Sequence, residues 1–179
     1  SNNPSLTRLE CVSNQLSSLD LTNNPNLEIL YCYSNRLTSL DVTKNNDLTE
    51  LWCYNNQLTE LDVSNQPNLE RVECSSNKIT TLNVANTPKL KMLYCNWSYT
   101  LSGLNISNTP ALEDLRVMSG KLSNIDVSES PKLKSFYCSS NALTNLDVSK
   151  NTALTELSCG SNHLLSLDVS KNTSLSTLK

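Results

Sequence analysis

The seven cysteines of this 179-residue chain mark one position of a repeating unit. Cys11, Cys32, Cys53, Cys74 and Cys95 follow at intervals of 21 residues, and Cys138 and Cys159 resume that interval after one rung held by Val117. Cut in this register, the chain from Asn3 reads as eight units of 21 or 22 residues and a partial ninth, from NPSLTRLECVSNQLSSLDLTN to NTSLSTLK. A repeat of this length cannot bury its apolar side alone, so successive units must stack into a solenoid. Residues 3–179 are therefore expected to form one domain, with residues 1–2 as a linker.

Each unit contains a second symmetry, because L-x-x-L-x-C-x-x-N is echoed about ten residues later by L-x-x-L-D-V-S-x-N. In the first half Leu27, Leu30 and Cys32 are expected to point inward while Ile29, Tyr31 and Tyr33 point outward, the period-2 pattern of a short strand. Leu37, Leu40 and Val42 repeat the pattern on the second side. Neither half is long enough for an amphipathic helix of ~8–20 residues. The expectation is a mostly β, right-handed coil with little or no helix and a parallel sheet of short strands. Both long sides are expected to be extended, so the coil is flattened and weakly curved, with turns stacked at ~4.8 Å into a rod of roughly 40 Å.

The consensus L-x-x-L-x-C-x-x-N-x-L-x-x-L-D-V-S-x-N-x-x resembles the leucine-rich repeat, in the short nested form found in bacterial internalin-like and other cell-surface proteins. That resemblance implies a non-catalytic binding or adhesion module, extracellular or on the cell surface, whose partner is a protein such as a host or cell-surface protein.

The recurring polar residues read first as architecture. Asn14, Asn35, Asn56, Asn77, Asn141 and Asn162 fall where the chain leaves the first strand, and an inward amide there can bridge backbone groups of adjacent coils. The six prolines share the corner before the next first strand, where a fixed φ is useful and no ladder N–H is lost. The cysteines read as small apolar filling. Parallel Cβ vectors at the strand spacing lie outside the ~3.5–4.5 Å separation of a disulfide. An interval of 21 residues is also far from metal-site spacing. Asp20, Asp41 and Asp62, then Asp126, Asp147 and Asp168, form an interrupted acidic row with Asn83 and Asn105 between. Its carboxylates are expected to accept hydrogen bonds from backbone N–H groups or nearby Ser/Thr hydroxyls, with Lys44, Lys150 and Lys171 offsetting charge. Calcium between these carboxylates is the lesser alternative to a cofactor-free chain.

Composition removes several classes of function. A net charge of −3 with no Lys/Arg run gives no footprint for nucleic acid, and no window approaches the ~18 apolar residues of a membrane span. The single histidine, His163, has no nucleophile or carboxylate arranged around it, and no glycine-rich phosphate loop occurs, so no enzyme is expected.

The outward positions beside the cysteines vary from unit to unit and carry six of the nine aromatics. Tyr31, Tyr33, Trp52 and Tyr54 form one candidate partner-binding patch. A second candidate zone surrounds the insertion NWSYT and the following irregular unit, with Tyr94, Trp97, Tyr99, Arg116, Met118 and, further along, Tyr137. The competing readings are a structural spacer whose aromatics only stack, and a glycan-binding solenoid. Because the first and last units carry no polar caps, a fragment of a longer protein or a homo-oligomer formed through ends or edges is also expected.

Overall fold

The computed structural model describes residues 3–179; the linker residues 1–2 lie outside the described residues. One strand recurs in every unit: β1 (Arg8–Glu10), β2 (Ile29–Tyr31), β3 (Glu50–Trp52), β5 (Arg71–Glu73), β7 (Met92–Tyr94), β9 (Asp114–Arg116), β10 (Ser135–Tyr137), β11 (Glu156–Ser158) and β12 (Thr177–Leu178). They pair in chain order into a nine-stranded parallel sheet, each residue opposite its equivalent in the next coil, as Leu30 opposite Leu51 and Leu51 opposite Val72. No helix occurs among the described residues. The core is a file of Leu, Val and Cys down each side, including Leu27, Leu30, Cys32, Leu37 and Val42 in the second unit. Phe136 takes a leucine position and is fully buried.

The first asparagine row bridges neighbouring coils. Asn56 Nδ2 donates to the carbonyls of Cys32 and Cys53, each at 3.0 Å, and its Oδ1 accepts the Leu37 N–H at 3.0 Å. Asn35, Asn77, Asn141 and Asn162 make the same three kinds of contact. A second buried row serves the opposite corner: Asn45 Nδ2 donates to Asn24 O at 2.7 Å, and Asn151 and Asn172 make the equivalent bonds. In the middle units a side-chain hydroxyl does related work, with Thr87 and Thr109 donating to Val84 O and Ile106 O.

The expectation that both long sides are extended holds for only part of the chain. The second side pairs as a sheet in three units alone, through β4 (Glu60–Asp62), β6 (Thr81–Asn83) and β8 (Gly103–Asn105). The turn that follows is the physical reason. After β4, β6 and β8 the chain passes through Asn65, Asn86 and Asn108 at φ 59°, 57° and 53°, a left-handed conformation that asparagine tolerates better than most residues. Most other units put Lys44, Glu129, Lys150 or Lys171 at this place, and their turns avoid it. Asn23 is the exception, but its neighbour coil carries Lys44, so the pair lacks the shared geometry. Val63 and Val84 consequently donate across to Asn83 O and Asn105 O, each at 2.9 Å, while no such bond is made by Val42 or Val148.

The interruption of the first asparagine row follows from the insertion. In regular units Oδ1 of the asparagine accepts the N–H of the leucine in the preceding coil. The extra residue in the fifth unit forms a turn in which Leu101 N–H bonds to Ser98 O at 2.8 Å, so the next coil need not supply an acceptor, and Gly120 stands there. Space also favours glycine, because a Cβ at residue 120 would meet Asn141 Oδ1 at 2.7 Å.

Candidate binding face

The first-strand sheet presents two outward rows, before and after the cysteine, and the candidate aromatics lie along them. Tyr31 stacks on Trp52 with ring centroids 4.5 Å apart, and Tyr33 stacks on Tyr54 at 4.3 Å with planes 9° apart. Tyr33 also meets Trp52 at 6.5 Å, so the four rings form one continuous patch across two coils. Arg8 covers the outer face of Tyr31 at 5.0 Å. Trp52 Nε1 is buried within the patch with no hydrogen-bond partner among the described residues.

A second cluster occupies the fifth to seventh units. Arg116 lies between two rings, 4.5 Å from the centroid of Tyr94 and 5.0 Å from that of Tyr137, and pairs with Asp114 through both Nε and Nη2. Between the two clusters stand Glu73 and Ser75, the Ser75 N–H donating to Glu73 at 3.0 Å. The structure therefore divides the face into two patches rather than one stripe.

Three of the tyrosines are oriented by carboxylates in the next coil. Tyr31 donates to Glu50 at 2.6 Å, Tyr94 to Asp114 at 2.5 Å, and Tyr137 to Glu156. The hydrogen bond to Glu50 raises the Tyr31 hydroxyl above its ordinary pKa, and that to Glu156 does the same for Tyr137. Burial, then the bond to Asp114, pushes Tyr94 up to about 12. Glu50, Asp114 and Glu156 were not singled out from the sequence. Their signal is a diagonal pairing, 19 or 20 residues apart, that appears only when the units are wrapped side by side.

Trp97 and Tyr99 lie in the turn beyond β7, at the rim rather than on the strand rows, with Trp97 53% and Tyr99 65% exposed. Trp97 has φ 53° at a place where the other coils use serine or asparagine. Its N–H donates to Met118 O at 3.0 Å, which sets the rim against the second cluster.

The opposite face carries the acidic row and no aromatic. Oδ1 of Asp20, Asp41, Asp62, Asp126, Asp147 and Asp168 accepts the N–H of the residue two further on, at 2.8 to 3.0 Å. Hydrogen bonds from this Ser or Thr hold five of these six below the ordinary aspartate value. The hydroxyl is the larger influence at Asp20, Asp126 and Asp147, and the backbone N–H at Asp41 and Asp168. Each carboxylate is thus engaged within its own turn. Among the described residues no group of three or more His, Cys, Asp or Glu is arranged to hold a metal ion. All seven cysteines are free thiols.

A parallel coil built on stacked Leu, Cys and Asn rows defines a class of protein, the leucine-rich-repeat solenoid. The family model "Leucine Rich repeats (2 copies)" matches residues 25–66. The functional domain of InlJ from Listeria monocytogenes, described as including a cysteine ladder, is 36% identical over 97% of this chain and 43% of that one, with a TM-score of 0.78. The leucine-rich repeat domain of APL1B has the same fold, with a TM-score of 0.77 at 22% identity, over 98% of this chain and 54% of that one. This chain belongs to the leucine-rich-repeat proteins and is of the internalin-like type. It spans about half the length of these solved structures or less. No curated protein matches it significantly. No helix of the described residues is long and apolar enough to cross a membrane.

Proposed function

We propose that the chain is a non-catalytic protein-binding or adhesion module of a surface or secreted protein, and that it contacts its partner through the first-strand face. The observation that carries this reading is the segregation of aromatics. Six of nine stand on the two outward rows of one sheet, each half-buried, and none stands on the opposite face. Tyrosine and tryptophan offer large, stiff contact area with a polar tip, as recognition anchors require. Tyr31, Tyr33, Trp52 and Tyr54 supply the first anchor cluster; Tyr94, Arg116, Met118 and Tyr137 supply the second. The extracellular setting rests on the likeness to InlJ.

The ring stacking and the hydroxyl–carboxylate bonds favour a second reading, a spacer in which the aromatics only tie coils together. The two readings separate on a Trp52→Ala/Tyr54→Ala double variant. The variant and the wild type are used as bait against an extracellular protein fraction, with stability followed in parallel by urea titration. A partner retained by the wild type and lost by a folded variant is expected. Equal retention by both, with only lowered stability in the variant, assigns these aromatics to structure.

A further inference from the structure

The edge where the chain turns from the first side to the second has a charge pattern that the proposed function does not use. It comprises residues 13–17, 34–38, 55–59, 76–80, 97–102, 119–123, 140–144 and 161–165, and none of the chain's 17 carboxylates lies on it. One place on this edge, just after the row of Asn35, Asn56 and Asn77, is fixed in register by repeated backbone bonds. Arg36 N donates to Leu16 O, Lys78 N to Leu58 O, Lys121 N to Leu101 O and His163 N to Leu143 O, at 2.7 to 2.9 Å. Cationic or imidazole side chains thus occupy the second, fourth, sixth and eighth coils, while the alternate coils hold Gln15, Gln57, the Tyr99 insertion and Ala142. Two coils correspond to ~10 Å at the strand spacing.

All four side chains are exposed, and among the described residues none of them forms an ion pair. Lys78 Nζ reaches only the neutral Gln57 amide, at 3.3 Å. Most other cations that flank the sheet are neutralised, as in Arg71–Glu50, Lys91–Glu70 and Lys134–Glu113. Trp97 and Tyr99 stand in the coil between Lys78 and Lys121, both more than half exposed. Trp97 holds φ 53° at a place where serine or asparagine serves the other coils in the same conformation, so the turn itself does not call for an indole.

We propose that this edge binds a linear anionic glycan, its carboxylate or sulfate groups meeting Arg36, Lys78 and Lys121 and a sugar ring lying against Trp97 or Tyr99. The axial hydrogens of a pyranose present a weakly positive apolar face that complements the negative face of an aromatic ring. Charges recurring every second coil match a polymer whose charge recurs once per disaccharide. A bilayer surface is served by a plane of four to eight clustered cations, whereas this edge offers a single spaced row. An acidic peptide would use the cations but would leave the flat aromatics without a defined partner.

The test measures binding by calorimetry to four probes: heparin oligosaccharides, hyaluronan oligosaccharides with one carboxylate per disaccharide, neutral cello-oligosaccharides and phosphatidylserine vesicles. Binding to one or both anionic glycans and not to the neutral one is expected, weakening about tenfold between 50 and 200 mM salt, as two or three ionic contacts on a flexible polyanion require. Response to heparin alone identifies sulfate as the recognised group, and response to both identifies any regularly spaced anion. Lys78→Gln/Lys121→Gln and Trp97→Ser/Tyr99→Ser should each weaken binding more than tenfold with an unchanged melting temperature. Trp52→Ala/Tyr54→Ala should leave it unchanged, so failure here and failure of the strand-face reading are told apart. Absence of glycan binding, equal binding of neutral and anionic chains, binding of vesicles alone, or indifference to the edge variants overturns the proposal.

Discussion

Asn56→Ala should be among the most damaging single substitutions in this chain, although it removes only an amide. Asn56 is 8% exposed and satisfies three buried backbone groups in two coils: Cys32 O, Cys53 O and Leu37 N–H. Alanine leaves all three without a partner in a place with little room for water. An orphaned buried group costs ~1–3 kcal/mol, and the carbonyls lose less because each retains a second lone pair, so the total is about 3–5 kcal/mol. The control is Asn14→Ala at the first rung. Asn14 is exposed and its amide reaches only the carbonyls of its own coil, Cys11 at 3.3 Å and Val12 at 3.0 Å, so its loss should cost about 1 kcal/mol or less. In a chain of this size the difference amounts to roughly 10 °C in melting temperature. Urea titrations of the two variants, followed by circular dichroism, provide the measurement. If they fall within ~1 kcal/mol of each other, the amide bridge between coils is not what holds them in register.

Three further outcomes follow from the same geometry. The aspartates of the second side release protons more readily folded than unfolded, so the stability they lend is complete above the ordinary value of ~3.9 and is lost as pH falls through their lower folded values. Asp41→Asn/Asp147→Asn should flatten this acid limb while keeping the turns, because Asn83 and Asn105 already accept the same backbone N–H; an unchanged limb in urea midpoints measured from pH 5 to 2 would contradict it. Burial pushes Cys32 and Cys138 up to about 12, so the native protein should react slowly with a thiol reagent, with the half-buried Cys11 reacting first and all seven reacting once unfolded. Since these folded thiols resist ionisation, stability should also decline as pH rises above the unfolded thiol value of ~8.5. Asn86→Ala should cost about 1–2 kcal/mol through its φ of 57°, whereas Lys150→Ala, in a turn without that conformation, should stay within about 0.5 kcal/mol in the same titration.

The first sheet and the first asparagine row were legible because each depends on residues close together in one unit. The Leu-x-Cys alternation defines the strand, and an asparagine three residues after the cysteine is within reach of that cysteine's own carbonyl. The second side was less legible, because its L-x-x-L-D-V segments look alike in all units. What decides between sheet and irregular coil there is whether the following turn can hold a positive φ, and that depends on Asn65, Asn86 and Asn108 rather than on any strand residue. The carboxylates that hold Tyr31, Tyr94 and Tyr137 escaped notice for another reason: each comes from the adjacent coil, two strand positions away from direct opposition. The cationic edge was hidden by averaging, since a chain with a net charge of −3 can still place all 17 of its carboxylates elsewhere.

A solenoid offers an internal test of which positions the fold dictates, because every coil inside the stack meets the same neighbours. The inward places repeat Leu, Cys and Asn, and where one departs, as at Gly120, the departure has a local cause in the Leu101 turn and the Asn141 contact. The row before the cysteine instead runs Glu10, Tyr31, Trp52, Glu73, Tyr94, Arg116, Tyr137 and Ser158 while the backbone beneath it stays in one register. Such a row is free to vary as far as coil stacking is concerned. The two proposed surfaces also use different rows, the strand face on either side of the cysteine and the edge from the second residue after it. A change on one therefore leaves the backbone bonds of the other intact, and a single thin coil can present two ligand surfaces without a cavity for either.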